Sequence, residues 1–194
     1  MSETESLSHE KYAALFIDVQ NLTHRPVDGR QQRYDLADIH WPKLIERMFN
    51  SLQAENVVYM GRAYTFAGDG RKRTQDWLQE TLKRSFVRGG QDVPVFVRLV
   101  KDIDAAIVND IWDYVIGLVQ LQSDQKRQPP FKVTILLAGG DGAYAYPIKS
   151  IRRRFSSELL DLRLHTFSWS ESLSQELANA SNFVELLEHG ALIL

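Results

Sequence analysis

The sequence predicts an open α/β sheet with mainly parallel strands, and two observations support this fold class. Short apolar runs rich in β-branched residues alternate with longer stretches of helical periodicity, and polar turns separate the two kinds of segment. The predicted strands are 12–18, 56–66, 93–99, 132–138 and 159–167, and the predicted helices are 36–52, 71–87, 103–121, 144–155 and 168–190. The 194 residues fit one domain, 11–194, after a flexible tail, 1–10.

In the first half of the chain, YAALFID (12–18) is apolar up to a terminal aspartate, and a polar loop follows it through Asp35. The segment 36–52 repeats apolar residues at helical spacing, and Pro42 fits such a helix only in its first turn. NVVYMGRAYTF (56–66) has the composition of a strand. The stripe that predicts an amphipathic basic helix at 71–87 consists of Trp77, Leu78, Leu82 and Phe86.

In the second half, VPVFVRL (93–99) is rich in β-branched residues, and an isoleucine stripe predicts the helix that follows it. The polar linker SDQKRQPP ends in a proline pair, after which KVTILLA (132–138) has the pattern of a buried strand. A helix and the strand LLDLRLHTF come next. Capping residues near 170–175 predict that the chain closes with helix.

Composition limits the kinds of site that the protein can contain. The chain has no cysteine, which excludes disulfides, thiolate zinc sites and a cysteine nucleophile. The five histidines show no HxxxH or HxH spacing, so any metal would be held by oxygen, which favours magnesium, manganese or calcium. No apolar run approaches the roughly 20 residues that span a bilayer. We therefore expect a cytoplasmic protein that has no membrane partner.

Basic residues are unevenly distributed although the net charge is only -2. Residues 61–101 hold nine Lys or Arg against four acids, and a second basic cluster occupies 149–154. This asymmetry indicates a surface that faces a polyanion, although ordinary solvated helix faces would give the same pattern. The candidate nucleic-acid-binding residues are Lys72, Arg73, Lys83, Arg84, Lys149, Arg152, Arg153 and Arg154.

Acidic residues follow several of the predicted strands. In open parallel sheets, ligands bind beyond the carboxyl ends of the strands. Asp18 ends the first strand, Asp104 follows the third, and Asp141 lies just beyond the fourth in LLAGGDGAYAYPI. Two like charges about 4 Å apart repel by about 4 kcal/mol at an effective dielectric near 20, so clustered carboxylates need a proton or a cation.

Each of these acids also has a structural interpretation. Asp18 and Asn21 fit a turn or a helix cap, and the helix dipole by itself favours an acid at Asp104. Asp110 lies close to the apolar stripe of its helix, where it needs a partner such as Lys101, a backbone amide or a metal. For Asp110, a buried structural network is the favoured interpretation.

Four segments together resemble one known family. FIDVQN, KDIDAAIVND and LLAGGDGAYAYPI occur in the order of the NYN-domain patterns FIDxxN, KxVDxxLxxD and SGDxDFxPL, and SESLSQELANASNFVELL is similar to the family's closing segment. The NYN domain is the LabA-like branch of the PIN-like ribonuclease superfamily. This resemblance implies a three-layer, Rossmann-like α/β/α domain. It also implies an acidic Mg²⁺ or Mn²⁺ pocket that hydrolyses RNA phosphodiester bonds.

Carried over by position, the resemblance makes Asp18, Asp104 and Asp141 the metal ligands. It adds Asn21 as the support of Asp18, and Lys101 and Asp110 as further members of the catalytic set. Lys101 or an arginine of 149–154 is expected to offset developing negative charge. The chain departs from the pattern at Ala143, where the second SGDxD aspartate is missing, and at Tyr144, where phenylalanine is usual and the exchange is expected to be harmless.

Three alternatives to the nuclease were considered. The missing acid at Ala143 favours a binding module with a PIN-like fold, which holds RNA, a protein partner or a second copy of the chain without cleaving anything. The GGDG segment resembles that of the NAD and lipid kinase superfamily, although the usual threonine is replaced by Ala143. A haloacid-dehalogenase-like phosphatase is excluded, because it needs a second acid where Gln20 stands.

Overall fold

The computed structural model describes residues 11–27, 30–67, 72–82, 86–88, 91–125 and 130–193. The strands are β1 (Lys11–Asp18), β2 (His24–Val27), β3 (Arg30–Arg33), β4 (Asn56–Phe66), β5 (Phe86–Arg88), β6 (Gln91–Val93), β7 (Val95–Val100), β8 (Phe131–Ala138), β9 (Leu160–Trp169) and β10 (Phe183–Leu187). The helices are α1 (Val19–Thr23), α2 (Trp41–Asn50), α3 (Lys72–Leu82), α4 (Ile103–Gln125), α5 (Ala145–Arg154), α6 (Gln175–Ala180) and α7 (His189–Leu192), with 3-10 turns at Leu36–Asp38 and Gly142–Tyr144.

Six of the strands form one parallel sheet in the order β10-β9-β8-β1-β4-β7. The chain starts in the middle of the sheet at β1, moves outward through β4 to β7, and returns to β8 on the other side of β1. Counted within this sheet, the order is third, second, first, fourth, fifth, sixth, which is the doubly wound Rossmann arrangement. The predicted fold class is therefore confirmed.

The sheet separates two hydrophobic cores, because successive side chains of a strand point to opposite faces. In β1, Leu15 and Ile17 belong to the core that includes side chains of α2 and α3, whereas Phe16 belongs to the core under α4, α5 and α6. All three of these side chains are fully buried. Helices cover both faces, which makes the domain a three-layer α/β/α structure. No helix in the described part of the chain is long and apolar enough to cross a membrane.

Several elements differ from the sequence prediction. The loop expected before Asp35 contains α1 and the hairpin β2–β3, and the helix expected over 71–87 ends at Leu82, before the hairpin β5–β6. The closing segment was predicted as helix throughout, but Phe183–Leu187 adds strand β10 in parallel to β9. Pairing along the open edge of β9 overrides the helical preference of Glu185, Leu186 and Leu187. The tail 1–10 lies outside the described residues.

Candidate functional site

The switch between the two halves of the sheet lies between β1 and β8. Connections leave the carboxyl ends of these strands in opposite directions, and such a point opens a crevice for ligands. Asp18 ends β1, and Gly139 and Gly140 follow β8. The amide of Gly140 donates a hydrogen bond of 2.8 Å to Asn21 Oδ1, so Asn21 ties the two strand ends together across the switch.

Asp18 is held at this position by the start of α1. Its Oδ1 accepts a hydrogen bond of 2.9 Å from the backbone amide of Asn21, so the carboxylate caps the helix. The side chain points to the face covered by α4, and only 4% of Asp18 is exposed. Asn21 therefore positions Asp18 through its backbone and the β8 loop through its side chain.

Asp104 approaches the same place from the beginning of α4. The side chain of Asp102 accepts a hydrogen bond of 3.0 Å from the amide of Ala105 and caps this helix, which leaves Asp104 free to turn toward the sheet. Asp104 is half-buried, and it lies in the first turn, where the helix dipole favours a negative charge.

The hydroxyl of Tyr144 joins the two carboxylates. Tyr144 Oη lies 2.6 Å from Asp18 Oδ2 and 2.6 Å from Asp104 Oδ1. A phenol has only one proton, so the two acids share a single donor. Burial, with smaller contributions from the two carboxylates, raises the pKa of Tyr144 far above its usual value, so this phenol stays neutral.

Burial also raises the pKa of Asp18 to about 6, and the nearby charge of Asp104 adds to the rise, while hydrogen bonds from Tyr144 and Asn21 oppose it. Within the described residues, neither Asp18 nor Asp104 forms an ion pair with a lysine, arginine or histidine. Within the described residues, this carboxylate pair thus receives hydrogen bonds from a hydroxyl group and a backbone amide but contacts no cationic side chain.

The glycines after β8 allow another loop to pack closely against this site. A Cβ atom added to Gly140 would lie 2.2 Å from the carbonyl oxygen of Ser172 and 2.5 Å from Ser168 Oγ. The amide of Ser174 also donates a hydrogen bond of 2.8 Å to the Gly140 carbonyl. A side chain at this position would therefore push apart the loop after β9 and the loop that carries Tyr144.

Asp141 does not join the carboxylate pair. Its side chain is exposed and accepts a hydrogen bond of 2.8 Å from the amide of Ala143, so it caps its own 3-10 turn. Across the described ranges, no group of three or more acidic or histidine side chains could hold a metal ion together. The expected pocket of three aspartates is therefore corrected to a pair, Asp18 and Asp104.

Asp110 belongs to a separate network on α4. Its Oδ2 accepts hydrogen bonds from Tyr64 Oη, at 2.5 Å, and from the guanidinium groups of Arg62 and Arg98. Burial acts against ionisation, but these hydrogen bonds lower the pKa of Asp110 below its ordinary value. The structural interpretation of Asp110 describes this arrangement better than the catalytic role that the family resemblance implies.

The basic cluster 149–154 lies on helix α5, which begins directly after Tyr144. Arg152 is half-buried and donates hydrogen bonds to the carbonyls of Leu162 and Ala180, which makes it structural. The expectation that another arginine of this cluster, Arg153 or Arg154, offsets developing charge at the site stays a prediction.

The other predicted basic residues divide between exposed and undescribed positions. Lys149 is exposed in the middle of α5, Arg153 and Arg154 are exposed at its end, and Lys101 is exposed just after β7. Lys83 and Arg84 lie outside the described residues. Lys72 and Arg73 begin α3, but their side chains also lie outside what the structure describes. Their expected role in nucleic-acid binding remains a prediction.

Sequence reasoning missed the most important side chain at the site. Tyr144 was expected to be a harmless replacement for phenylalanine, yet its hydroxyl oxygen lies within hydrogen-bond distance of both carboxylates. The signal was present in the sequence as a hydroxyl group at the aromatic position of an acidic motif. Arg62 and Arg98 were also missed as a pair, because their strands are far apart in the chain and become neighbours only in the sheet.

The chain is similar across nearly its whole length to a solved structure. This is a protein of unknown function, VPA0982, from Vibrio parahaemolyticus RIMD 2210633. The two share 16% sequence identity with a TM-score of 0.56, over 96% of this chain and 98% of that one. No protein-family model and no curated protein matches the chain. At this level of identity, the similarity supports the α/β/α fold alone.

Proposed function

We propose that this protein is a divalent-metal-dependent ribonuclease of the cytoplasm, which hydrolyses RNA phosphodiester bonds at the Asp18–Asp104 pair. One observation carries the proposal. Two carboxylates from distant parts of the chain approach one atom at the switch point of a Rossmann-like sheet, without a basic partner among the described residues. Such a concentration of negative charge is unfavourable unless a proton or a cation compensates it.

The two carboxylate ligands fit the way in which proteins usually bind magnesium or manganese. Mg²⁺ is commonly bound through one or two carboxylates and completes its coordination with water and substrate phosphate oxygens. Asp18 and Asp104 provide two carboxylates with no nitrogen or sulfur ligand among them, and a ligand is missing where the family pattern has an aspartate at Ala143. When bound, the ion would supply charge stabilisation at a phosphoryl oxygen and would lower the pKa of a water molecule.

The protein side chains have distinct roles in this proposal. The Asn21 amide holds Asp18 Oδ1, so Asp18 Oδ2 points toward Asp104 and Tyr144. Tyr144 donates its single proton to one carboxylate and keeps the pair in place when no cation is bound. Half-buried Asp104 is the more accessible of the two acids and provides the side of the site that substrate can reach. Asn21 is a positioning residue.

A binding module without catalysis is the second candidate, and Tyr144 is the observation that favours it. The hydroxyl already bridges the two carboxylates, so the acids are satisfied without an ion. The absence of an aspartate at Ala143 acts in the same direction. The phosphotransferase alternative gains no support from the glycines, because Gly140 packs against Ser172 instead of lining a phosphate cradle.

Cleavage of labelled single-stranded RNA in Mn²⁺, with EDTA as the blank, tests the proposal. We expect the wild type to cleave, and Asp18→Asn and Asp104→Asn each to lose activity by about 100-fold or more, because two-ligand sites depend on both acids. Asp141→Asn should retain most of the activity. Asp161→Asn is a control, since Asp161 lies near the start of β9 and therefore at the amino ends of the parallel strands, away from the carboxyl ends where Asp18 lies.

Two outcomes would contradict the nuclease. Undiminished cleavage by both Asp18→Asn and Asp104→Asn would mean that the activity comes from elsewhere. RNA binding by the wild type without any cleavage in Mn²⁺ or Mg²⁺ would favour the binding module.

A further inference from the structure

A second cluster of charged side chains lies on the same face of the sheet as the carboxylate pair. A cavity of about 390 Å³ is lined by Met60, Arg62, Arg98, Asp110, Asp113 and Tyr114. Helix α4 packs over β1, β4 and β8, and Phe96 on the outer strand β7 is 57% exposed. The cavity is therefore an open groove beside α4 at the β7 edge.

The two arginines of this groove share a single counter-charge. Arg62 Nη1 lies 2.6 Å from Asp110 Oδ2, and Arg98 Nη1 contacts the same oxygen, which also accepts the Tyr64 hydroxyl. One carboxylate thus contacts two guanidinium groups, and these three side chains carry one net positive charge, while Asp113 brings a second negative charge to the groove. Asp113 is exposed at the groove and forms no ion pair with either arginine in the described structure.

Most donors of these guanidinium groups have no protein partner among the described residues. Each guanidinium has five N–H groups in a planar fork that matches the oxygens of a phosphate. Asp110 Oδ2 accepts from Nη1 of each fork and holds it in place, and the face of Tyr64 also supports Arg98, whose Cζ lies 5.7 Å from the ring centroid. The groove thus presents guanidinium N–H donors to solvent in fixed positions.

The sheet register aligns this groove with the carboxylate pair. Asp18 pairs with Tyr64, and Tyr64 pairs with Arg98, so the three residues lie in one row across β1, β4 and β7. With neighbouring strands about 4.8 Å apart, the backbones of Asp18 and Arg98 are separated by roughly 10 Å. The backbone of Arg98 is therefore close enough for one extended polymer to contact both sites by passing around Tyr64, which is fully buried between them.

An exposed aromatic ring, Phe96, lies beside two of the residues that line the groove. Phe96 pairs in register with Arg62 and lies two residues before Arg98, so all three side chains project from the same face. A large apolar ring beside guanidinium groups that use only part of their donors on Asp110 matches a ligand that combines a flat base with a phosphate. Single-stranded nucleic acids are bound in this way, through stacking on aromatic rings and cationic contacts to the backbone.

We propose that Arg62, Arg98 and Phe96 form a binding site for one nucleotide unit of single-stranded RNA, with the phosphate on the two guanidinium groups and the base on Phe96. This inference rests on the proposed function for the identity of the polymer, because it names where the RNA continues beyond the carboxylate pair. The site itself binds without cleaving, so it can be tested separately from catalysis.

The test is the affinity of a fluorescently labelled single-stranded oligouridylate, measured by anisotropy in EDTA so that metal-dependent cleavage does not occur. We expect Arg98→Ala to weaken binding by about tenfold, since it removes charge-assisted hydrogen bonds. It should also reduce the slope of log affinity against log salt by about 0.7. Phe96→Ala should weaken binding about fivefold or more through lost stacking, and Phe96→Tyr should preserve it.

Matched controls separate this site from general charge and exposure. Arg163→Ala removes an exposed arginine on β9, and Tyr146→Ala removes an exposed aromatic ring on α5. Both controls should bind like the wild type. Arg98→Ala keeps Arg62 and Tyr64 on Asp110, so it should stay folded, and thermal unfolding checks this. Unchanged affinity in folded Arg98→Ala and Phe96→Ala, or no binding of RNA by the wild type, overturns the proposal.

Two further measurements show whether the groove binds polymeric RNA or a free nucleotide, and whether the groove or the nuclease proposal fails. Competition by unlabelled oligouridylate at much lower concentration than by uridine monophosphate supports a polymer site, whereas equal competition by the free nucleotide overturns the assignment to RNA. If RNA binding depends on Arg98 and Phe96 but the RNA stays intact in Mn²⁺, the groove stands and the nuclease fails. If RNA is cleaved with an Arg98→Ala KM equal to that of the wild type, the groove fails and the nuclease stands.

Discussion

The phenolic oxygen of Tyr144 lies 2.6 Å from Asp18 Oδ2, although 126 residues separate the two in the chain. The same oxygen lies 2.6 Å from Asp104, so one hydroxyl group holds two acids that would otherwise repel each other. This contact decides how the site behaves without a cation. It also makes the hydroxyl and a bound ion alternative ways to compensate the same negative charge.

The stability of Tyr144→Phe should therefore depend more strongly on bound metal than that of the wild type. Removal of the hydroxyl leaves the buried Asp18 without a hydrogen-bond donor on Oδ2, which should lower the free energy of unfolding by about 1–3 kcal/mol in EDTA. Mn²⁺ should restore more stability to this variant than to the wild type, because the ion no longer competes with the hydroxyl. Thermal unfolding with and without Mn²⁺ measures both effects. An equal response of the two proteins to Mn²⁺ would mean that no ion binds between the acids.

Asp18 should make stability fall as the pH rises toward neutrality. Its pKa is raised in the folded protein from an ordinary 3.8 to about 6, so the folded state binds more protons than the unfolded state between these values. The contribution is complete below pH 4 and is lost as the pH passes 6, with a total of about 3 kcal/mol. Urea unfolding of the wild type and of Asp18→Asn from pH 4 to pH 8, in EDTA, measures this. The variant should lack this component, and parallel curves for the two proteins would contradict the prediction.

Gly140→Ala should destabilise the site because there is no room for a methyl group. The added Cβ would lie 2.2 Å from the Ser172 carbonyl oxygen, which belongs to backbone and moves only with its loop. We expect a loss of about 1–3 kcal/mol, typical of overpacking. Gly117→Ala is the matched control, since nothing lies within 4 Å of its added Cβ and the residue is inside α4. That variant should be stabilised by about 0.5–1 kcal/mol, and equal effects in denaturant unfolding would refute the packing role of Gly140.

Asp110→Ala should be more harmful than its position on a helix suggests. The substitution leaves the Tyr64 hydroxyl and two guanidinium groups without their shared acceptor, so we expect about 1–3 kcal/mol of lost stability. Asp113→Ala, on the same helix but exposed, should change stability by less than about 0.5 kcal/mol. Chemical unfolding of both variants makes the comparison. A loss in Asp110→Ala no larger than that in Asp113→Ala would show that the network contributes little.

Much of the fold could be predicted because its central elements have strong local patterns. The strand 56–66 matches β4 at both ends, and the apolar runs before Asp18 and Gly139 match β1 and β8 to within one residue. Strands β1 and β8 are buried on both faces, so nearly every side chain in them must be apolar. Strand β10 lacked such a pattern, because it lies at an edge and only Leu187 within it is fully buried.

The sequence alone determined the fold class, the place of Asp18 at the end of a central strand and the place of Asp104 in the first turn of a helix, because hydrophobic periodicity and helix starts are local properties. Only the tertiary structure decided which acids meet. Asp141 accepts a hydrogen bond from the backbone of its own turn, and the Tyr144 hydroxyl lies between the other two acids. Arg98 lies in the same row of the sheet as Asp18 because β4 pairs with both β1 and β7. These relationships depend on which strands are neighbours and on where each side chain finds a hydrogen-bond partner. The local pattern of a sequence carries no information on either point.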